Sequence, residues 1–124
     1  MAGLTIEAAR AAFDRRRTAW LAEDLDGYMD CWADDMVIDV PGRTITGKAA
    51  YRELAAGSFT WARPVDFEFH HLAVDGDVVL CEFSGAGERP DGTRFAWDGM
   101  GRGVLRDGLI AEWREYWDPA DFQR

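Results

Sequence analysis

From Val65 onward, apolar and polar residues alternate along the sequence, and short turn signals interrupt the alternation three times. A period of two places successive side chains on opposite faces of a strand, and Asp-Gly pairs are typical of tight hairpins. The turn signals are Asp75-Gly76, Pro90-Asp91-Gly92 and Asp107-Gly108. The second half of the chain is therefore predicted to form an antiparallel meander of four long strands.

The first half of the sequence has helical spacing instead. Apolar residues recur every three to four positions over residues 6–21, after Thr5 as an N-cap, with the arginines at 15–17 expected on the solvated side. A short helix follows, capped by Asp24 or Asp26 and carrying Tyr28, Cys31 and Trp32. The segment "MVIDV" is predicted to be a brief strand, and "TGKAAYRELAAGSF" a third helix. Helices first and strands last predict an α+β fold in which helices cover one face of a curved sheet, with residues 1–124 forming one domain.

The charge of the chain excludes several classes of partner. It has a net charge of −9, with 14 Lys and Arg against 23 Asp and Glu. Nucleic acid and anionic membranes attract clustered basic residues, so neither is an expected partner. The N-terminal sequence lacks a signal-peptide pattern, and no apolar run approaches the roughly 20 residues of a membrane span, so we expect a cytoplasmic protein. Cys31 and Cys81 form no CxxC motif and are expected to be reduced.

Both histidines of the chain lie in the segment "FEFHHLAVDGDVVLCEFS", residues 67–84. Strict alternation places His71 on the apolar face with Phe67 and Phe69, and His70 on the polar face. Neighbouring strand residues point in opposite directions, so the two imidazoles are not expected to bind one metal ion, and no metal site is predicted.

A turn centred on Asp75-Gly76 sets the pairing of this hairpin. It places Phe69 opposite Glu82 and Phe67 opposite Ser84, so Glu82 and Ser84 join His71 on the apolar face. His71 and Glu82 are then diagonal neighbours at about 7–8 Å between their backbone positions. This pair is either a general acid–base group in an apolar pocket or a structural ion pair within the core.

Glycines alternate with other residues in the third strand of the meander. If Phe95 and Trp97 point inward, then Gly99, Gly101 and Gly103 share their face. A three-residue loop at 106–108 pairs Trp113 with Gly101, Glu115 with Gly99 and Trp117 with Trp97. This row of glycines indicates either space left open beneath the helices or close helix packing.

Two segments resemble a known family: "ADDMVIDVPGRTITGKAAYREL" and "LRDGLIAEWREYWDPADF". They are similar to the SnoaL-like (polyketide cyclase) branch of the nuclear transport factor two-like superfamily, which also includes limonene epoxide hydrolase and ketosteroid isomerase. The resemblance implies a cone-shaped domain with a strongly bent sheet around an apolar pocket. It also implies homodimers formed through the outer side of the sheet, and enzymes that need no metal or organic cofactor.

The resemblance also bears on individual residues. The epoxide hydrolase pattern has an Arg-x-Asp pair at the positions of Glu82 and Ser84, and an Asp at Glu115. The isomerase pattern has a catalytic Asp that corresponds to Asp39, whereas its oxyanion-hole groups fall near Arg16 and Gly101. The alternation of residues 36–40 directs Asp39 to solvent, whereas the resemblance directs it into the pocket, and both alternatives stay open.

The leading hypothesis is a cofactor-independent enzyme that performs acid–base chemistry on a small hydrophobic carbonyl compound: cyclisation, isomerisation, dehydration or hydration. The alternative is a non-catalytic binding or assembly domain of the same fold. The residues predicted to act in catalysis are Asp39, His71, Glu82 and Glu115. The residues predicted to contact the substrate are Trp20, Tyr28, Phe67, Phe69, Ser84, Trp97, Gly99, Gly101, Trp113 and Trp117.

Overall fold

A computed structural model describes residues 3–122 of the chain. The helices are α1 (Ile6–Leu21), α2 (Leu25–Met29) and α3 (Lys48–Trp61). The strands are β1 (Trp32–Val40), β2 (Arg43–Thr46), β3 (Arg63–Asp75), β4 (Val78–Glu88), β5 (Arg94–Arg106) and β6 (Leu109–Trp117). A short 3-10 helix, Pro119–Phe122, follows β6. No helix in these residues is both long and apolar enough to cross a membrane.

The strands form one sheet in the order β2-β1-β6-β5-β4-β3. Each neighbouring pair is antiparallel except β1 and β6, which run parallel. The helices α1 and α3 contact the same sheet through β1, β2 and β3. The predicted α+β class and the four-strand meander are therefore confirmed. The sequence did not predict β2, and Trp32 begins β1 rather than lying on the second helix.

The helix caps follow from short polar side chains. The hydroxyl of Thr5 accepts a hydrogen bond from the Ala8 amide at 3.1 Å, which confirms it as the N-cap of α1. Asp24, one of the two predicted alternatives, caps α2 by accepting from the Gly27 amide. The buried face of α1 contains Ala9, Ala12, Phe13, Arg16 and Ala19. The expectation that residue 16 lies on the solvated side of this helix is thus wrong.

A β-bulge in β3 changes which side chains face inward. The turn between β3 and β4 is centred on Gly76 and Asp77, one residue later than predicted, and Gly76 has a φ of 64° that favours glycine. Next to the turn, Leu72 pairs with Cys81, but further along Phe69 pairs with Phe83. Two residues of β3, at 70 and 71, therefore stand opposite one residue of β4, at 82. Alternation fails at this point, so both histidines are exposed.

The β5–β6 hairpin differs from its predicted pairing by two residues. Gly101 pairs with Glu115 and Gly103 with Trp113, around a tight turn at Asp107-Gly108. A shift of two residues preserves the face on which each side chain lies, so the predicted inward orientation is correct. The space over the glycines is filled, however: a Cβ atom on Gly101 would lie 2.3 Å from the Trp113 ring. Of the two alternatives for these glycines, open space beneath the helices is therefore wrong, and the space over Gly101 is filled by a side chain of β6.

Candidate active site

A cavity of about 580 Å³ lies between α3, β1 and the ends of β3–β6. Its size is within the range of pockets that bind small ligands. The aromatic residues that line it are Trp20, Tyr51, Trp61, Phe95, Trp97, Trp117 and Phe122. The remaining wall is mainly aliphatic, with Arg43 and Arg63 as its charged side chains besides one acid. The cavity therefore suits an apolar ligand that carries few polar groups.

Glu115 is the only acidic residue among the described residues that line this cavity. The indole N–H of Trp113 donates to its Oε2 at 2.9 Å, and the indole N–H of Trp117 donates to its Oε1 at 3.1 Å. The two donors fix the plane of the carboxylate. Since each carboxylate oxygen has a second lone pair, Glu115 can still accept a proton or a hydrogen bond from a ligand.

A pair of tyrosines adds hydroxyl groups to the inner wall. The hydroxyls of Tyr28 and Tyr51 are 2.7 Å apart and buried, and Tyr51 lines the cavity. Burial raises the pKa of both phenols above the ordinary value, and that of Tyr51 well above it. Both phenols therefore keep their protons at neutral pH. One of the two hydroxyl protons is used in the hydrogen bond between them.

Arg16 lies behind this wall, with only 3% of its surface exposed. Its guanidinium carbon is 4.5 Å from the centroid of the Trp113 ring and 4.9 Å from that of Trp32. Burial alone would lower the pKa of Arg16, but the electrostatic influence of Tyr28, Tyr51 and Glu115 outweighs it and raises the pKa above its ordinary value. Arg16 is thus a permanent positive charge inside the fold.

Asp39 lies outside the cavity. It accepts a hydrogen bond from the Thr44 hydroxyl of the neighbouring strand, whereas Ile38 and Val40 on either side of it line the cavity. Of the two alternatives for this residue, the alternation of the strand was correct. The position inferred from the isomerase pattern was not.

The predicted inward orientation of His71, Glu82 and Ser84 is wrong. His71 and Glu82 are exposed and line a shallow depression on the outer face of the sheet, together with His70. Ser84 also faces outward, where its hydroxyl is 2.8 Å from His70 Nε2. The physical reason is the bulge, which turns both histidines to one face. A mechanism that needs an interior His71–Glu82 pair does not fit this structure.

The other predicted contact residues have mixed positions. Trp20, Trp97 and Trp117 line the cavity, and Tyr28 lies directly behind it. The others belong to the core beneath α1 or to the packed inner face of the sheet, and do not line the cavity: Phe67, Phe69, Gly99, Gly101 and Trp113. The side chain of Trp113 nevertheless reaches the site through its bond to Glu115.

Sequence reasoning missed Tyr51 and Arg16. Tyr51 stands four residues before Ala55 on the buried face of α3, so helical spacing could have placed it inside. Arg16 follows Ala9, Ala12 and Phe13 at the same helical spacing. We expected a charged side chain on the solvated side of α1, although the helical position of Arg16 indicated the buried face.

Helices packed on one face of a mostly antiparallel sheet, around an apolar cavity, define a cone-like α+β fold. The chain belongs to the SnoaL-like domain family, which matches residues 9–113, and hence to the nuclear transport factor two-like superfamily. The resemblance inferred from the sequence is thus confirmed. No curated protein sequence matches the chain.

Solved structures with the same fold include proteins of different kinds. An LEH-like epoxide hydrolase of Mycobacterium tuberculosis is 28% identical, with a TM-score of 0.81 over 96% of this chain and 89% of that one. A candidate isomerase of Bacillus subtilis is 22% identical, with a TM-score of 0.84 over 94% of each chain. A protein of Catenulispora acidiphila with a ketosteroid isomerase-like fold is 18% identical, with a TM-score of 0.79 over 89% of this chain and 87% of that one.

Proposed function

We propose that the protein binds a small hydrophobic carbonyl compound in the cavity and catalyses its isomerisation or cyclisation by proton transfer, with Glu115 as the acid–base group. The observation that carries the proposal is a single oriented carboxylate on the wall of an otherwise apolar cavity. A carboxylate in such surroundings is a suitable general base when a substrate excludes water. The sequence predicted four catalytic residues: Asp39, His71, Glu82 and Glu115. The proposal keeps only Glu115 in that role.

The proposed reaction begins when Glu115 removes a proton from the carbon next to the carbonyl group. The C–H bond breaks, a carbon–carbon double bond forms, and the electron pair of the carbonyl bond moves to oxygen. Tyr51 donates a hydrogen bond to this enolate oxygen. Return of the proton from Glu115 to another carbon completes an isomerisation. In a cyclisation, the enolate carbon instead attacks a second carbonyl carbon, whose oxygen takes the proton. Neither route requires a cofactor.

One observation favours the alternative, a domain that binds a ligand without reaction. Both oxygens of Glu115 already accept an indole N–H, as expected of a carboxylate whose charge is satisfied within the protein. In that case the same cavity would hold the ligand, and Glu115 would only orient it.

Hydrogen–deuterium exchange separates the two functions. Ligands that co-purify with the protein are identified by mass spectrometry, and loss of α-protons in D₂O is followed by NMR on the identified compound and on 2-tetralone, a bicyclic ketone. We expect wild-type protein to accelerate the exchange, and Glu115→Gln to lower this rate by about 100-fold or more, the usual contribution of a general base.

Glu112→Gln is the matched control, because Glu112 lies on the same strand but is exposed. It is expected to exchange protons at the wild-type rate. A compound that binds tightly yet exchanges at the buffer rate in wild-type protein would support the non-catalytic alternative.

We also propose that the protein forms homodimers through the outer face of the sheet. Three large apolar side chains are exposed on β4, β5 and β6: Leu80 is 49% exposed, Met100 52% and Tyr116 58%. Their burial against a second copy would remove apolar surface from water.

A further inference from the structure

The guanidinium of Arg16 is a buried cation with unused hydrogen-bonding capacity. Its Nε and Nη1 atoms are buried and have no hydrogen-bond partner in the described protein. Four aromatic rings surround it, those of Trp32, Phe67, Phe69 and Trp113, at 4.5–5.8 Å from the guanidinium carbon. Ring faces attract a cation, but a buried charge still needs an anion or polar partner to balance its desolvation.

Neighbouring aromatic side chains connect Arg16 to the residues that line the cavity. The guanidinium carbon of Arg16 lies 4.5 Å from the centroid of the Trp113 ring, and the indole N–H of Trp113 donates to Glu115. The charge of Arg16 also acts on Tyr28 and Tyr51, whose hydroxyls are 2.7 Å apart. Tyr51 and Glu115 line the cavity, whereas Arg16 does not. A positive charge placed behind a hydroxyl donor strengthens the hydrogen bond from that donor to an anionic oxygen.

We propose that Arg16 makes the cavity wall at Tyr51 selective for an ionised ligand oxygen, such as that of a phenolate, an enolate or the anion of a 1,3-dicarbonyl compound. The ligand oxygen accepts the hydrogen bond of Tyr51, Tyr28 supports Tyr51 from behind, and Arg16 supplies the balancing charge. Arg16 is thus a positioning residue that acts through the tyrosines. This inference deepens the proposed function, on whose cavity it rests, by naming the substrate class: compounds that enolise readily or are already ionised.

The run of three arginines in α1 supplies a matched set of variants. Arg16→Met keeps the length and apolar contacts of the stem but removes the charge, and Arg16→Lys keeps the charge. Arg15→Met makes the same charge change one residue away on an exposed side chain, whose Nη2 donates to the Gly108 carbonyl.

The experiment uses 4-nitrophenol, which absorbs at a longer wavelength when ionised, and 4-nitroanisole, a neutral analogue of similar shape. Wild-type protein should bind 4-nitrophenol as its phenolate below the pH at which the free compound ionises, and bind it more tightly than 4-nitroanisole. Arg16→Met should weaken phenolate binding by about tenfold, the order expected from one charge several ångströms away at an effective dielectric constant near 20. Its affinity for 4-nitroanisole should not change, and Arg15→Met and Arg16→Lys should retain the preference for phenolate.

Three results would overturn the inference: wild-type protein that binds the neutral phenol or favours 4-nitroanisole, equal effects of Arg16→Met and Arg15→Met, or an unchanged phenolate preference in Arg16→Met. The first needs no variant, so it decides the matter even if Arg16→Met does not fold. Proton exchange tests the proposed function separately. Loss of exchange in Glu115→Gln together with an unchanged phenolate preference in Arg16→Met would refute this inference alone. Phenolate selectivity without any exchange would refute the catalytic proposal alone.

Discussion

Substitution of Gly101 by alanine tests the packing that holds the candidate active site. A Cβ atom at this position would lie 2.3 Å from Cη2 and 2.4 Å from Cζ2 of Trp113. Carbon atoms pack at about 3.5–4.0 Å, so the indole ring would have to move by more than about 1 Å. Trp113 is 1% exposed and packs against Phe13 and Phe83, which leaves it no free direction.

The expected cost has two components. Overpacking of a buried ring typically costs roughly 1–3 kcal/mol of unfolding free energy. Movement of the ring would also weaken the hydrogen bond from Trp113 to Glu115, a loss of about 1 kcal/mol for a part-buried bond. We therefore expect Gly101→Ala to destabilise the protein by about 2–4 kcal/mol. With a urea dependence of about 2 kcal/mol/M, typical of a small protein, this corresponds to a decrease of about 1–2 M in the unfolding midpoint.

The assay is urea unfolding followed by circular dichroism, with Gly57→Ala as the control. Gly57 lies in α3, and a Cβ atom there would meet nothing within 4 Å. Alanine in an open helical position is expected to increase stability by about 0.5–1 kcal/mol. If Gly101→Ala unfolded at the wild-type urea concentration, Trp113 would not be confined against β5, and our account of the inner-face glycines would be wrong.

Three further predictions concern other parts of the molecule. Burial raises the pKa of Cys81 to about 11, so the unfolded chain loses this proton at lower pH than the folded one. Stability should therefore fall as pH rises from about 8.5 towards 11, and Cys81→Ala should reduce this slope in urea titrations at several pH values. Leu80→Glu should give a monomer by light scattering at micromolar concentration, whereas Ile6→Glu, on α1, should not; a wild-type monomer would refute the proposed dimer. Tyr28→Phe should cost about 1 kcal/mol, measured by urea unfolding, because it removes a buried hydroxyl partner of Tyr51, and an unchanged midpoint would count against that bond.

The orientation of β5 and β6 was predictable from the sequence despite an incorrect pairing. Alternation within each strand decides which residues face inward, and the pairing error was two residues, which leaves that decision intact. Trp97, Glu115 and Trp117 were therefore placed correctly on the cavity side.

The orientation of β3 required information that a single turn signal does not contain. In β4, the apolar residues Val79, Cys81 and Phe83 alternate with Leu80, Glu82 and Ser84, a pattern that by itself directs Glu82 outward. In β3, the apolar positions change from odd (Phe67, Phe69) to even (Leu72, Val74), which is the trace of a bulge. Pairing from an assumed Asp-Gly turn overrode both patterns.

The burial of Arg16 could not be deduced from its type, because charged side chains are almost never fully buried without a partner. Its helical position indicated the inward face, but four surrounding aromatic rings and two tyrosine hydroxyls come from elements distant in sequence. Only the assembled fold shows why a charge is tolerated there.

The bulge at His70 and His71 has a consequence for how this strand can change in length. The extra residue allows Phe67 and Phe69 on one side, and Leu72 and Val74 on the other, to point into the same core. Deletion of either histidine would make the inward–outward alternation continuous along β3 and turn one of these apolar pairs out to solvent. Replacement of the histidines by other exposed residues keeps the bulge and the inward orientation of both apolar pairs. The strand should therefore accept many substitutions at these two positions but no deletion.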